Sequence, residues 1–229
     1  MQARPLFLAH RGAHTGSIAE NSAAAFDRAV DQGCDGFECD LRLTACGRAV
    51  VCHDAKVGAD TVSRATRTQL RRLPCIDDVV QRYGRRCFMD IELKVNGLET
   101  RVLAALREHP PERDYVVSSF LPEVVLDLKA RSGVVPVGII CRKASQLMAW
   151  RKLPVEYVIV HHSLVTARLV RLIQGASRKI FVWTVNDKKS MLRLAGWGVD
   201  AIISDKPQVL IQILQTSREP TAATQGRFS

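Results

Sequence analysis

Short apolar runs recur along this chain, and a longer amphipathic stretch follows almost every one. The runs fall at residues 6–10, 36–41, 87–93, 115–119, 135–140, 157–160, 180–184 and 201–204. Helical patterns lie between them at 22–32, 98–108, 122–131, 166–174, 188–195 and 207–214. Such alternation argues for a parallel sheet, because a parallel partner can be reached only by a crossover over the face of the sheet. Eight units in 229 residues match a (β/α)8 barrel, which needs about 200 to 250 residues. An open doubly wound sheet is the main competitor. The most irregular interval, 44–86, follows the second strand and carries an extra short strand at 49–53. Nothing in composition divides the chain. One barrel domain is expected over residues 1–215, with a flexible polar tail over 216–229 that includes Pro220 and Gly226.

Reactive side chains in such a barrel belong at the C-terminal ends of the strands. The first strand ends in His10-Arg11-Gly12, a proton acceptor or donor beside a fixed fork for an oxyanion. The second ends in Glu38-Cys39-Asp40. Strand side chains alternate, so Glu38 and Asp40 share the face opposite to Phe37, Cys39 and Leu41. With the apolar set against the helices, the two carboxylates meet inside the barrel mouth. Either a divalent cation or salt bridges to barrel lysines and arginines must offset their repulsion. All-oxygen ligation suits Mg²⁺ or Ca²⁺ rather than zinc.

Asp90, Glu92 and Lys94 share a face of the third strand. Glu92 can supply a third oxygen ligand while Lys94 approaches a phosphate, or the two can form an internal ion pair. His53-Asp54 follows the extra strand and brings a second histidine. His10 and His53 beside a cation and a lysine make an acid-base pair for phosphodiester cleavage, one accepting the nucleophile's proton and the other protonating the departing alkoxide.

Charge enters the argument here. The chain carries 33 Lys+Arg against 23 Asp+Glu, a formal +10, which suggests nucleic acid, an anionic membrane surface or an anionic small substrate. Residues 64–86 hold seven arginines against Asp77 and Asp78, whereas residues 20–40 hold six acids against Arg28. Aromatic residues make up only 6%, and no stacking motif appears, which argues against nucleic acid. Seven cysteines without a C-x-x-C spacing read as small core residues, so a reducing cytoplasm is expected. The N-terminus enters its first apolar run without a signal-peptide pattern, and no apolar stretch approaches the roughly 20 residues of a membrane span. Peripheral contact with a membrane stays open.

Taken in order, these residues resemble the glycerophosphodiester phosphodiesterase family. The carriers are His10-Arg11-Gly12, Glu20-Asn21, Glu38-Cys39-Asp40, His53-Asp54 and Ile91-Glu92-Leu93-Lys94. Ser119-Phe120, Trp183-Thr184-Val185-Asn186 and Ser204-Asp205-Lys206-Pro207 look like its later signatures, so the likeness spans residues 6–214. The resemblance implies hydrolysis of glycerophosphodiesters to glycerol 3-phosphate and an alcohol. It implies His10 and His53 as the acid-base pair, Glu38, Asp40 and Glu92 as metal ligands, and Arg11 and Lys94 on the phosphate. Glu20 would lie near the metal or the glycerol, and Trp183 would form an apolar wall.

Two departures stand out. Ala19 replaces the proline usual before Glu20, and the segment 56–60 is shorter than the family's and differs from it. Since that segment caps the site, substrate choice is less determined than reaction type. A lysophospholipase D-like activity is the neighbouring alternative. A non-catalytic barrel that binds anionic lipid or nucleic acid through residues 64–86 is the alternative from another class.

Overall fold

The computed structural model describes residues 4–216. Its main sheet contains β1 (Leu6–Ala9), β2 (Gly36–Leu43), β3 (Ala49–Val51), β6 (Phe88–Leu93), β7 (Tyr115–Ser119), β8 (Val137–Cys141), β9 (Tyr157–His161), β10 (Lys179–Trp183) and β11 (Ala201–Ser204). All neighbours pair in parallel except β3, which runs antiparallel to β2. Pairing of β1 with both β11 and β2 closes eight strands into a (β/α)8 barrel, so the open doubly wound sheet is excluded. No helix among the described residues is long and apolar enough to cross a membrane.

Alternation along the strands separates two cores. Inside the barrel, Leu8, Phe88, Val116, Ile140, Ile159, Phe181 and Ile203 form one buried cluster. Outside it, Phe37, Cys39, Leu41, Met89, Ile91 and Leu93 pack in the larger cluster that the helices cover. Gly36 is needed where β2 meets β6, since a Cβ there would lie 1.9 Å from the Phe88 carbonyl oxygen.

The crossover helices are α1 (Ala23–Asp31), α2 (Ile76–Tyr83), α3 (Glu99–Glu108), α4 (Pro122–Arg131), α6 (Ala167–Gly175), α7 (Lys188–Gly196) and α8 (Pro207–Thr216). Side-chain caps start three of them. Ser22, Thr166 and Asp187 accept the backbone N–H of Ala25, Leu169 and Ser190. The fifth crossover holds only α5 (Ala144–Leu147) and a 3₁₀ turn, Met148–Lys152.

Three details depart from the sequence reading. The interval 44–86 contains α2, whose Ile76, Val79, Val80 and Tyr83 are buried. Phe26 of α1 stacks on Phe37 of β2 at 4.1 Å between ring centroids, and Tyr83 meets Phe37 edge-on at 5.1 Å, which fixes α2 against the barrel. Two short strands, β4 (Lys56–Val57) and β5 (Asp60–Thr61), pair within the segment after His53. β8 starts at Val137 rather than at residue 135, because Pro136 has no N–H to give the ladder. The tail expected from residue 216 lies outside the described residues, apart from Thr216 at the end of α8.

Candidate active site

Register brings the acidic residues together. β2 and β6 pair Glu38 with Asp90 and Asp40 with Glu92 across the strands, so four carboxylates line adjacent ladder positions. Like charges directly opposed destabilise a sheet unless something compensates them. Glu38, Asp40 and Glu92 are buried, and each offers an oxygen within 4.8 Å of the others.

Compensation is partial and uneven. Lys94 Nζ lies 2.8 Å from Glu92 Oε1 and 3.2 Å from Asp40 Oδ1. Asn21 donates from Nδ2 to Asp40 Oδ2 at 2.8 Å and accepts the Asp40 backbone N–H at 3.1 Å. Burial would raise the Asp40 pKa, but Lys94, Asn21, Arg11 and His53 outweigh it and hold the group below its ordinary value. Glu38 fares differently. Burial and then repulsion from Asp40, Glu92 and Asp90 push it well above the carboxylate range, against one hydrogen bond from the Arg11 backbone. Burial likewise lifts Glu92 to about 7, despite Lys94. Asp90 also reaches about 7 through burial, with Ser118 Oγ donating to it at 2.6 Å.

These residues fit a divalent cation. Glu38 Oε1 is buried with no hydrogen-bond partner among the described residues, and Glu92 Oε1 meets only the Lys94 ammonium. Oxygens left in that state resist desolvation, and a hard cation is the partner that carboxylates prefer.

The two histidines stand at the same mouth but are held differently. His10 Nδ1 lies 2.6 Å from Asp205 Oδ1, while its Nε2 stands 3.8 Å from Glu38 Oε2. Asn186 donates from Nδ2 to Asp205 Oδ2 at 2.7 Å and accepts the Asp205 N–H at 3.0 Å. Burial acts against ionised Asp205, yet the hydrogen bonds from His10 and Asn186 bring it down to about 2. An ionised Asp205 can only accept, so Nδ1 of His10 carries the proton and Nε2 is left free. His53 is half-buried and its Nδ1 meets the exposed Asp54 at 2.8 Å.

Arg11 adopts φ +55°, in the left-handed region, and Gly12 follows at +80°. A Cβ on Gly12 would come within 2.7 Å of the Ala25 backbone, so the turn that presents His10 and Arg11 requires glycine. Arg11 Nη1 binds Glu20 at 2.9 Å and its Nε stands 3.3 Å from Asp40. Glu20 thus pairs with Arg11 on the rim and is not part of the carboxylate cluster.

A cavity of about 270 Å³ joins these groups. His10, Arg11, Glu38, His53, Asp90, Glu92 and Lys94 are part of its lining. Phe120, Ile140, Arg142, Ile159, Trp183 and Ile203 complete it. All eight residues singled out from the sequence are therefore at one mouth, with Asp40 beneath the lining. Sequence reasoning gave no role to Asn21, Asp205, Asn186 or Arg142. The first three stood inside quoted motifs, but their partners lie 19 to 195 residues away in the chain.

The family model described as "Glycerophosphoryl diester phosphodiesterase family" matches residues 10–83 and 76–209. The chain belongs to that family. It is accordingly a phosphodiesterase, an enzyme of the phosphoric diester hydrolase class. Curated relatives agree. A glycerophosphodiester phosphodiesterase of Caldanaerobacter subterraneus is 28% identical over 93% of this chain and 98% of its own length. A Bacillus subtilis relative, named as a putative glycerophosphodiester phosphodiesterase, is 30% identical over 90% of this chain and 96% of its own. Among solved structures, an Oleispira antarctica phosphodiesterase in complex with the product sn-glycerol-3-phosphate superposes with a TM-score of 0.80. That match has 24% identity and covers 93% of this chain and 97% of the other, and at that distance it supports the fold.

Proposed function

We propose that this protein hydrolyses small glycerophosphodiesters to glycerol 3-phosphate and an alcohol, with Mg²⁺ or Ca²⁺ held by Glu38, Asp40 and Glu92. The observation that carries this reading is the orphaned oxygen of Glu38 beside Asp40 and Glu92, in one cavity with two histidines and a lysine. When bound, the cation would neutralise negative charge that develops on the phosphoryl oxygens. Lys94, already drawn to Asp40 and Glu92, would contact the phosphoryl group, and Arg11 would contact it from the turn after β1.

The histidines divide the proton work. His10 is the base, because Asp205 fixes its Nδ1–H and stabilises the imidazolium that forms once Nε2 takes a proton from the nucleophile. His53, which lines the same cavity, gives a proton to the departing alkoxide. Trp183 and Phe120, ring against ring at 5.5 Å, supply the apolar wall.

The cavity of about 270 Å³ favours a small polar diester over a lysophospholipid, since ligand pockets commonly run about 300 to 1,000 Å³. We further propose a single catalytic domain over residues 1–215 and a cytoplasmic location. Seven free cysteines, six of them buried, suit a reducing compartment. Glycerol 3-phosphate release from glycerophosphoglycerol, read through a coupled dehydrogenase, beside choline release from lysophosphatidylcholine, tests the function. The diester is expected to be the far better substrate. Choline release from lysophosphatidylcholine, with no glycerol 3-phosphate from the diester, would transfer the assignment to the lysophospholipase D class.

A further inference from the structure

The part of the cavity away from the carboxylates carries its own chemistry. The lining carboxylates are Glu38, Asp90 and Glu92, all on β2 and β6. Arg142 stands at the end of β8, across the mouth from them. Its backbone N–H and that of Lys143 both donate to Gln146 Oε1 at 3.0 Å, which fixes the turn. The Arg142 guanidinium has no hydrogen-bond or ion-pair partner among the described residues, so its charge is not spent inside the protein.

Trp183, in the cavity wall, and His161, against its ring, offer donors rather than acidic acceptors. Trp183 Nε1 is buried without a hydrogen-bond partner. His161, against the Trp183 ring at 5.3 Å, takes the Ser163 backbone N–H on Nδ1, which leaves its proton on Nε2. Burial and then the charges of His162 and Arg142 keep this imidazole neutral to lower pH than usual, so Arg142 is the fixed cation on that side. The rim carboxylate near His162, Asp187, already caps α7 by accepting the Ser190 N–H at 2.9 Å.

An aromatic pair alone would suit a quaternary ammonium group. Here that use is opposed, because Lys94 Nζ sits over the Phe120 ring at 5.7 Å and Arg142 adds a second positive charge to the same cavity. A cationic head group would meet like charge where it needs an electron-rich face.

Given the phosphodiesterase reading above, on which this rests, we infer that Arg142 is a specificity-determining residue that selects diesters whose second alcohol is an uncharged polyol or acidic, and disfavours choline and ethanolamine. The guanidinium donates to hydroxyl or carboxylate oxygens and repels ammonium.

The test measures kcat/KM for glycerophosphoglycerol and glycerophosphoinositol against glycerophosphocholine and glycerophosphoethanolamine, with Mg²⁺ present. Wild type is expected to prefer the uncharged pair by about tenfold, the size of a like-charge contact partly screened at a protein surface. Arg142→Glu should abolish or invert that ratio, Arg142→Lys should keep its direction, and added salt should shrink it. Preference for choline by the wild type, or a ratio unmoved in Arg142→Glu, overturns the inference. Failure to release glycerol 3-phosphate from any of the four substrates would instead overturn the function itself.

Discussion

The two halves of the barrel mouth are built on opposite principles. At the ends of β1, β2 and β6 the charged side chains are held by short contacts, among them Asn21 and Lys94 on Asp40, Ser118 on Asp90 and Asp205 on His10. On β7 to β10, the wall is apolar rings and isoleucines with Arg142 and the Trp183 N–H left unengaged. The difference teaches where rigidity is needed. Chemistry on a phosphodiester demands groups fixed before substrate arrives, whereas choice among alcohols needs only a wall of the right charge and shape.

Removal of the cation should break the engaged half most completely. Excess EDTA is expected to bring turnover to background, and Mg²⁺ or Ca²⁺ to restore it. Full activity in EDTA would remove Glu38, Asp40 and Glu92 from the ligand set. The chelated protein offers a second readout. A buried Glu92 titrating at about 7, above its ordinary value near 4.3, stabilises the fold only while it stays protonated. That contribution is complete below about pH 4 and is lost as pH rises through about 7. The chelated protein should therefore melt roughly 5 °C or more lower at pH 8 than at pH 5, with the cation closing the gap. A Tm in EDTA that rises with pH over this range would contradict the burial argument.

His10→Ala and His53→Ala come next, each expected to cost at least about 10²-fold in kcat, the usual size of an acid-base contribution. A rate near wild type in either variant would take that residue out of the proton path. Asp205→Asn should also lower kcat with KM little changed, because an amide N–H presented to Nδ1 turns the imidazole to the wrong tautomer. Asp205→Glu should recover part of the loss. If KM rose while kcat held, Asp205 would belong to substrate binding rather than to the positioning of His10.

The engaged half was legible in the sequence to the extent that its geometry is local. Alternation along β2 and β6 placed Glu38, Asp40, Glu92 and Lys94 on one face with no knowledge of the fold. Asp205 was out of reach, because its meeting with His10 depends on β11 closing against β1, 195 residues along the chain. Asn21 was hidden because its amide meets Asp40, 19 residues along the chain, a pairing that no local pattern announces. Arg142 follows a strand that the apolar pattern foresaw to within two residues, but a lone exposed arginine carries no periodic signal. In 64–86 the arginines masked α2, although Ile76, Val79, Val80 and Tyr83 stand at the i, i+3, i+4, i+7 spacing of a buried helix face.

Those arginines allow the smallest effect to be predicted, and they extend the contrast from the mouth to the outer surface. Arg82 and Arg86 pair with Asp27, Arg85 with Glu112, and Arg67 reaches Cys75 and the Leu70 carbonyl. Arg64, Arg71 and Arg72 remain exposed without a partner among the described residues. Their charge faces solvent, where the field of a side chain fades over about 8 Å at physiological salt. Replacing all three by glutamine should therefore change kcat/KM by less than about twofold at 0.15 M salt, with a somewhat larger fall at low ionic strength from weaker steering of an anionic diester. The same triple variant also decides the nucleic-acid alternative. If the wild-type protein bound duplex DNA at 0.15 M salt and the variant did not, the exposed arginines would be a binding surface and not merely a solvated face.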